Sequence, residues 1–262
     1  MRVIRLKFKR ILAITLAAMT IAGTSVMALP VSAASSSTSA TSTKAKSTKY
    51  ADSTYKTKLN QAKQTTAYKK AKTNMQRVAL IANSQANLTF SSYEKAAKAY
   101  GVNGEWCGAF VKWCLKQGGY TPLKNLLYAD PESLGVPANK TVFTYYGTKR
   151  LTDGACFSKS YIKGVKASNK NVPTAKINYK KGGILCFGFT SDPIDANKKL
   201  YYFAHCGIIT TVSTYGDKKV VGYVCGNEGN NNKTVYHTFT INTKTGKVSG
   251  LGSRIIMSYS EY

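Results

Sequence analysis

The stretch Asn103 to Cys114, NGEWCGAFVKWC, constrains this chain more than any other part of it. Trp106, Phe110 and Trp113 recur at i, i+4 and i+7, and Ala109, Val111, Cys114 and Leu115 fill most of the remaining circumference. Only Gly108, Lys112 and Lys116 form a stripe that can face water. An α-helix apolar nearly all round is buried on most sides, so the fold has to be built around this one. Gly118-Gly119 is a suitable stop for it, and Cys107 falls in its first turn.

Two helices are expected before it, the second of them short. YKKAKTNMQRVALIANSQ carries Met75, Val78, Leu80 and Ile81, a helix-like apolar set, and SSYEKAAKAYG has a Ser cap and a Gly stop. Strands are expected at 183–189 (GILCFGF), 200–212 (LYYFAHCGIITTV), 219–225 (KVVGYVC), 234–241 (TVYHTFTI) and 254–259 (RIIMSY), with YGDK turning a hairpin between the second and third. Helices first and antiparallel strands after make an α+β domain. Residues 120–180 contain no long periodic run and are expected to rim any cleft.

The first residues, MRVIRLKFKR, are basic. An apolar run of 13 residues follows, then VMALPVSAAS with small residues spaced V-x-A. That is the layout of a secretory signal peptide over residues 1–33, cleaved after Ala33; the run falls short of the roughly 20 residues that span a bilayer. The expectation is a secreted protein, extracellular or associated with a cell wall, with no stable membrane insertion after cleavage. Residues 34–66 are Ser, Thr, Lys and Ala with little to bury, and read as a disordered linker. The domain proper is expected over 67–262, as a monomer.

The formal net charge is +27. Such a chain associates with polyanions. No motif that reads RNA or DNA is present, so nucleic acid is not expected; an anionic wall or lipid surface fits an exported chain better.

Cys107, Cys114, Cys156, Cys186, Cys206 and Cys225 match no disulfide scaffold or zinc knuckle. Cys107 and Cys114 lie about 10.5 Å apart along one helix, too far to bridge. Most of the six are expected to be buried thiols. A Cys at a helix start is a different case, because free N–H groups and the helix dipole favour its thiolate, the nucleophilic form. His205 is one of two histidines, in a strand of aromatic and β-branched residues where an imidazole needs a partner. VCGNEGNNN, at the end of the next strand, offers Asn227 and Glu228 to orient it. A zinc site of His205, Cys206 and Cys225 is the competing chemistry, disfavoured because strand neighbours point to opposite faces.

Cys on a central helix, His on a strand and Asn on the following strand is the order of a papain-like cysteine hydrolase. EWCGAFVKWCLKQGGY, preceded by VALIANSQ and followed by GGILCF, AHCGIIT and CGNEGN, resembles the CHAP domains, the cysteine, histidine-dependent amidohydrolase/peptidases. Those families show a W-C-x-x-F-V-x-W helix, a G-D-I-x-x-F strand, an H-V-G-I-V strand and an E-G-N strand end. The resemblance implies a papain-like CHAP fold, with N-terminal helices on a mostly antiparallel sheet. It also implies hydrolysis of amide bonds in peptidoglycan, with peptidoglycan and anionic wall polymers as partners and no metal or organic cofactor. Carried over by residue, Cys107 is the nucleophile, His205 the general base and Asn227 the third residue. Two positions depart from the pattern: Cys225 stands where the family has Glu, and Gly183 where it has Asp. Counting from a turn centred between Gly216 and Asp217 puts Glu228 opposite His205, and a one-residue bulge puts Asn227 there instead; the motif aligns on Asn227. A catalytically inactive wall-binding relative and a secreted thiol hydrolase or transglutaminase-like enzyme acting on protein are the alternative functions. Tyr128, Tyr145, Tyr146, Tyr201 and Tyr202 are candidate sugar platforms.

Overall fold

The central helix does form where its apolar surface demands burial. The structure, a computed structural model, describes residues 50–121, 140–146, 149–150, 167–191, 193–195, 200–201 and 203–262. Within them the helices are α1 (Tyr55–Gln64), α2 (Thr66–Lys69), α3 (Asn74–Ser84), α4 (Tyr93–Ala99) and α5 (Cys107–Gln117). Thr73 and Gln76 close a capping box at the start of α3, and the Ser92 hydroxyl accepts from the Lys95 N–H to start α4. Trp106, Phe110, Val111 and Cys114 of the α5 segment are fully buried. Gly108, placed on the water-facing stripe by its spacing, is buried too, while Trp113 moves to the edge, against Tyr55 and Tyr100.

The strands are β1 (Lys140–Tyr146), β2 (Lys149–Arg150), β3 (Ala167–Pro173), β4 (Ile184–Phe189), β5 (Pro193–Asp195), β6 (Leu200–Tyr201), β7 (His205–Tyr215), β8 (Lys218–Glu228), β9 (Lys233–Asn242), β10 (Val248–Ser249) and β11 (Arg254–Glu261). One curled sheet runs β10-β9-β8-β7-β4-β11-β1-β2, antiparallel except that β3 joins β1 in parallel; β5 and β6 form a separate ribbon. The fold is therefore α+β, as the order of elements predicts. The single strand expected over 200–212 is divided: β6 ends at Tyr201, and β7 opens at His205. That break leaves His205 at the first position of its strand rather than in the middle of one.

Side chains alternate between two cores along β7 and β8. Cys206, Ile208 and Val224 join Trp106, Phe110 and Cys114 in the layer beneath the helices. Ile209, Tyr223 and Cys225 join Phe187, Phe239 and Tyr259 on the other face. Gly226 lies where the α5 segment packs tightly on β8: a Cβ there would be 2.6 Å from the Trp106 ring and 2.7 Å from the Phe110 Cβ. Gly183, where the family pattern has Asp, has an equally direct reason. A Cβ at that position would lie 2.4 Å from the Tyr259 ring.

Residues 34–66, expected as a linker, include α1. Tyr55, Leu59 and Ala62 stand at i, i+4 and i+7; Leu59 and Ala62 are buried, and the Tyr55 ring centroid is 6.0 Å from Phe90 and 6.3 Å from Trp113. Ala51 is buried as well, so the packed domain begins well before residue 67. A stripe of three apolar residues in a Lys- and Thr-rich window is enough to dock a short helix, although it barely alters the composition. The expected signal peptide over 1–33, the linker up to residue 49, most of the 120–180 segment, Cys156, Tyr128 and Tyr202 lie outside the described residues. Tyr145 and Tyr146 end β1, and Tyr201 ends β6. Among the described residues no helix is long and apolar enough to cross a membrane.

Candidate active site

Cys107 is the first residue of α5, and the Trp106 side chain makes no cap to the helix start. The N–H groups of the first turn thus have no partner from a capping side chain, and the Gly108 N–H is directed at the Cys107 sulfur. The Cys206 thiol and the His205 imidazole also hydrogen-bond that sulfur. The Cys206 contact, with the His205 contact and its charge behind it, outweighs burial and holds the Cys107 thiol well below the ordinary thiol range. Cys114, seven residues further along the same helix, has burial alone and is pushed well up. One helix therefore carries a cysteine whose thiol is pulled down and another whose thiol is pushed up.

His205 reaches Cys107 because it opens β7 at the end of the sheet. Its ring is buried, beside Phe187 and Phe189 of β4. Burial opposes an imidazolium, while the sulfurs of Cys225 and Cys107 and the Glu228 carboxylate favour it, and the net direction is well upward. Burial keeps Cys225 itself a neutral thiol, so the working counter-charges are Cys107 and Glu228.

His205 Nε2 lies 2.9 Å from Glu228 Oε1. A carboxylate only accepts, so Nε2 donates, and Nδ1 is the nitrogen left for Cys107. Burial works against the ionised form of Glu228. Hydrogen bonds from His205 and His237 and the charge of Arg254 override it, and the carboxyl is held far below its usual range.

The third position departs from the assignment to Asn227. Between β7 and β8 the ladder pairs Tyr215 with Lys218 and Thr211 with Gly222, then shifts by one residue so that Ile209 faces Tyr223 and Gly207 faces Cys225. Continued two residues further, that register brings Asn227 level with His205. The ladder ends first. Asn227 takes a left-handed φ of 64°, where Asn is one of the few tolerated residues, and its amide turns to donate to the Glu105 carboxylate. Glu228 follows in a register shift against β9 and takes the place beside the imidazole. The turn beyond it is pinned to the helical layer: Trp106 Nε1 donates to Asn231 O at 2.8 Å and Asn232 Nδ2 to Phe90 O at 2.8 Å.

Of the three residues carried over, the structure thus brings Cys107 and His205 together and sends the Asn227 side chain elsewhere. Glu228 had a signal in the sequence, since Glu228-Gly229-Asn230 reads E-G-N literally. His237 and Arg254, which also reach Glu228, did not. Cys206 faces the helices and Cys225 the opposite core, so the two do not converge with His205 on one zinc. His205, Cys225 and Glu228 each bring a donor atom within 4.8 Å of the others. Arg254 Nη2, however, is 2.6 Å from the same Glu228 oxygen. A divalent ion added there meets a fixed positive charge, so the set is poorly suited to one.

No protein-family model matches the chain, and no curated protein or solved structure matches it.

Proposed function

We propose that this protein is a secreted, papain-like cysteine amidohydrolase or endopeptidase that cleaves amide bonds of bacterial peptidoglycan. The observation that carries the reading is the pairing of Cys107, at the uncapped start of a buried helix, with an imidazole held by an ionised carboxylate. The resemblance to CHAP domains supplies the substrate class. The excess of positive charge, +27 over the whole chain, suits an anionic wall.

The reaction follows from these parts. The Cys107 thiol passes its proton to His205 Nδ1, and the thiolate attacks the amide carbonyl carbon. The oxyanion is held by the Cys107 backbone N–H at the helix start. The imidazolium gives its proton to the leaving nitrogen as the C–N bond breaks, which leaves a thioester on Cys107 and releases the amine. His205 then takes a proton from water, hydroxide adds to the thioester, and the carboxylic acid departs as the thiol is restored. Glu228 keeps Nε2 protonated throughout, so the same nitrogen always faces the sulfur.

The test is release of muropeptides from purified walls by wild type and Cys107→Ala. The expected result is release by wild type only, with both proteins folded and both bound to the wall. Equal release by both would remove Cys107 from the reaction, and binding without release by either would make the protein a wall-binding relative.

A further inference from the structure

Two more strands send a side chain onto the carboxylate that holds His205. His237 Nε2, from β9, lies 3.1 Å from Glu228 Oε1, and Arg254 Nη2, from the first residue of β11, lies 2.6 Å from it. One oxygen atom therefore takes three donors. Because a carboxylate only accepts, both histidines direct an Nε2–H at it. The 3.4 Å approach of Arg254 Nη2 to His237 Nε2 is then a meeting of two donors, tolerated because they share one anion. His237 is fixed by stacking on Tyr223, with ring centroids 5.4 Å apart. Arg254 is fixed where β11 pairs with β4 opposite Phe189.

We infer that His237 and Arg254 are positioning residues, which clamp Glu228 Oε1 against His205 Nε2 and divide the carboxylate's charge between the imidazole and the guanidinium. The clamp takes its meaning from the catalytic reading of Cys107 and His205, and deepens it.

The consequence is electrostatic. With Glu228 ionised and Arg254 charged, the thiolate–imidazolium pair of Cys107 and His205 sits in surroundings of no net charge. Removing the guanidinium leaves Glu228 facing His205 with its charge undivided, and the imidazolium is held more tightly. The groups facing His205 are Cys107 from α5, Cys225 and Glu228 from β8, and the aromatic rings of β4; Cys206, its chain neighbour, points the other way. His237 and Arg254 act on it through Glu228. A residue that merely filled space at this point would lower the affinity of His205 for its proton when replaced, by loosening Glu228.

The chain has two histidines, so imidazole titration by NMR follows both directly, and His237→Gln assigns them. Arg254→Gln, which keeps a donor but not the charge, is expected to raise the His205 midpoint by about one pH unit. Arg254→Lys is expected to leave it within a few tenths of a unit. His237→Phe, which keeps the stacked ring and removes the donor, is expected to raise it by less than Arg254→Gln does. An unchanged or lowered midpoint in Arg254→Gln overturns the inference; if that variant does not fold, an unchanged or lowered midpoint in His237→Phe does so. Wall hydrolysis measured on the same proteins separates the two claims. Shifted midpoints without hydrolysis by wild type leave the clamp standing and remove the catalytic reading. Hydrolysis with unmoved midpoints removes the clamp alone.

Discussion

His205 Nε2 and Glu228 Oε1 lie 2.9 Å apart, although the ladder between their strands ends at Gly207 and Cys225, two residues short of His205 and three short of Glu228. The contact is made possible by the left-handed turn at Asn227, which takes that residue out of line and lets the next one reach the imidazole. A carboxylate at this point both orients the ring and stabilises its charged form, where an amide would only orient it.

Replacing Glu228 should therefore cost more than replacing Asn227. Glu228→Gln keeps the shape and one acceptor oxygen but loses the charge, and kcat on soluble wall fragments is expected to fall about ten-fold or more. Asn227→Ala loses the contact to Glu105 and should have a smaller effect. The opposite ranking in steady-state kinetics would return the orienting role to Asn227.

The same carboxylate predicts a pH signature in stability. Its folded value is depressed, so its contribution is present above the unfolded value of about 4.3 and is lost as pH falls toward the folded one. The gap in Tm between wild type and Glu228→Gln should be widest near pH 6, narrow as the pH falls below about 4, and close only toward the depressed folded value. A gap that stays constant over this range would mean that Glu228 is not a depressed, charge-stabilised group.

Truncation should find the boundary of the domain. Deleting residues through 49 is expected to leave Tm unchanged, whereas deleting through 66 removes the buried Leu59 and Ala62 and the Tyr55 ring against Phe90. Losing one buried Leu alone costs about 2–5 kcal/mol, so the second deletion should lower Tm by several degrees or more. Equal Tm values for both deletions would show that α1 does not contribute to the fold.

Gly226→Ala probes the approach of β8 to α5. Its Cβ would stand 2.6 Å from Trp106 and 2.7 Å from Phe110 Cβ, contacts that force the helix or strand to shift at about 1–3 kcal/mol. Urea unfolding should show that loss, and a neutral substitution would contradict the close packing of helix on strand.

How far the sequence could be read depended on how local each signal was. α5 was legible from Cys107 to its glycine stop because its apolar residues fill one contiguous helix, and the β7–β8 hairpin because YGDK can do little but turn. The pairing of Cys107 with His205 followed from their order on helix and strand. The choice between Asn227 and Glu228 did not, because it rests on a one-residue shift between Ile209 and Thr211 and on the φ of Asn227. Neither leaves a trace in hydrophobic periodicity. His237 and Arg254 were hidden for another reason. They reach Glu228 from the middle of β9 and the start of β11, and β7 and β4 lie between β8 and β11 in the sheet, a juxtaposition no local pattern encodes.

If His205 makes Cys107 a thiolate, the rates at which iodoacetamide alkylates the individual thiols at pH 6 must differ sharply. Peptide mapping of the folded protein should find Cys107 labelled at least about ten-fold faster than Cys114, which burial keeps protonated. His205→Ala should bring the two rates close together. Labelling of Cys107 no faster than Cys114, or a fast rate that His205→Ala leaves unchanged, would contradict the claim.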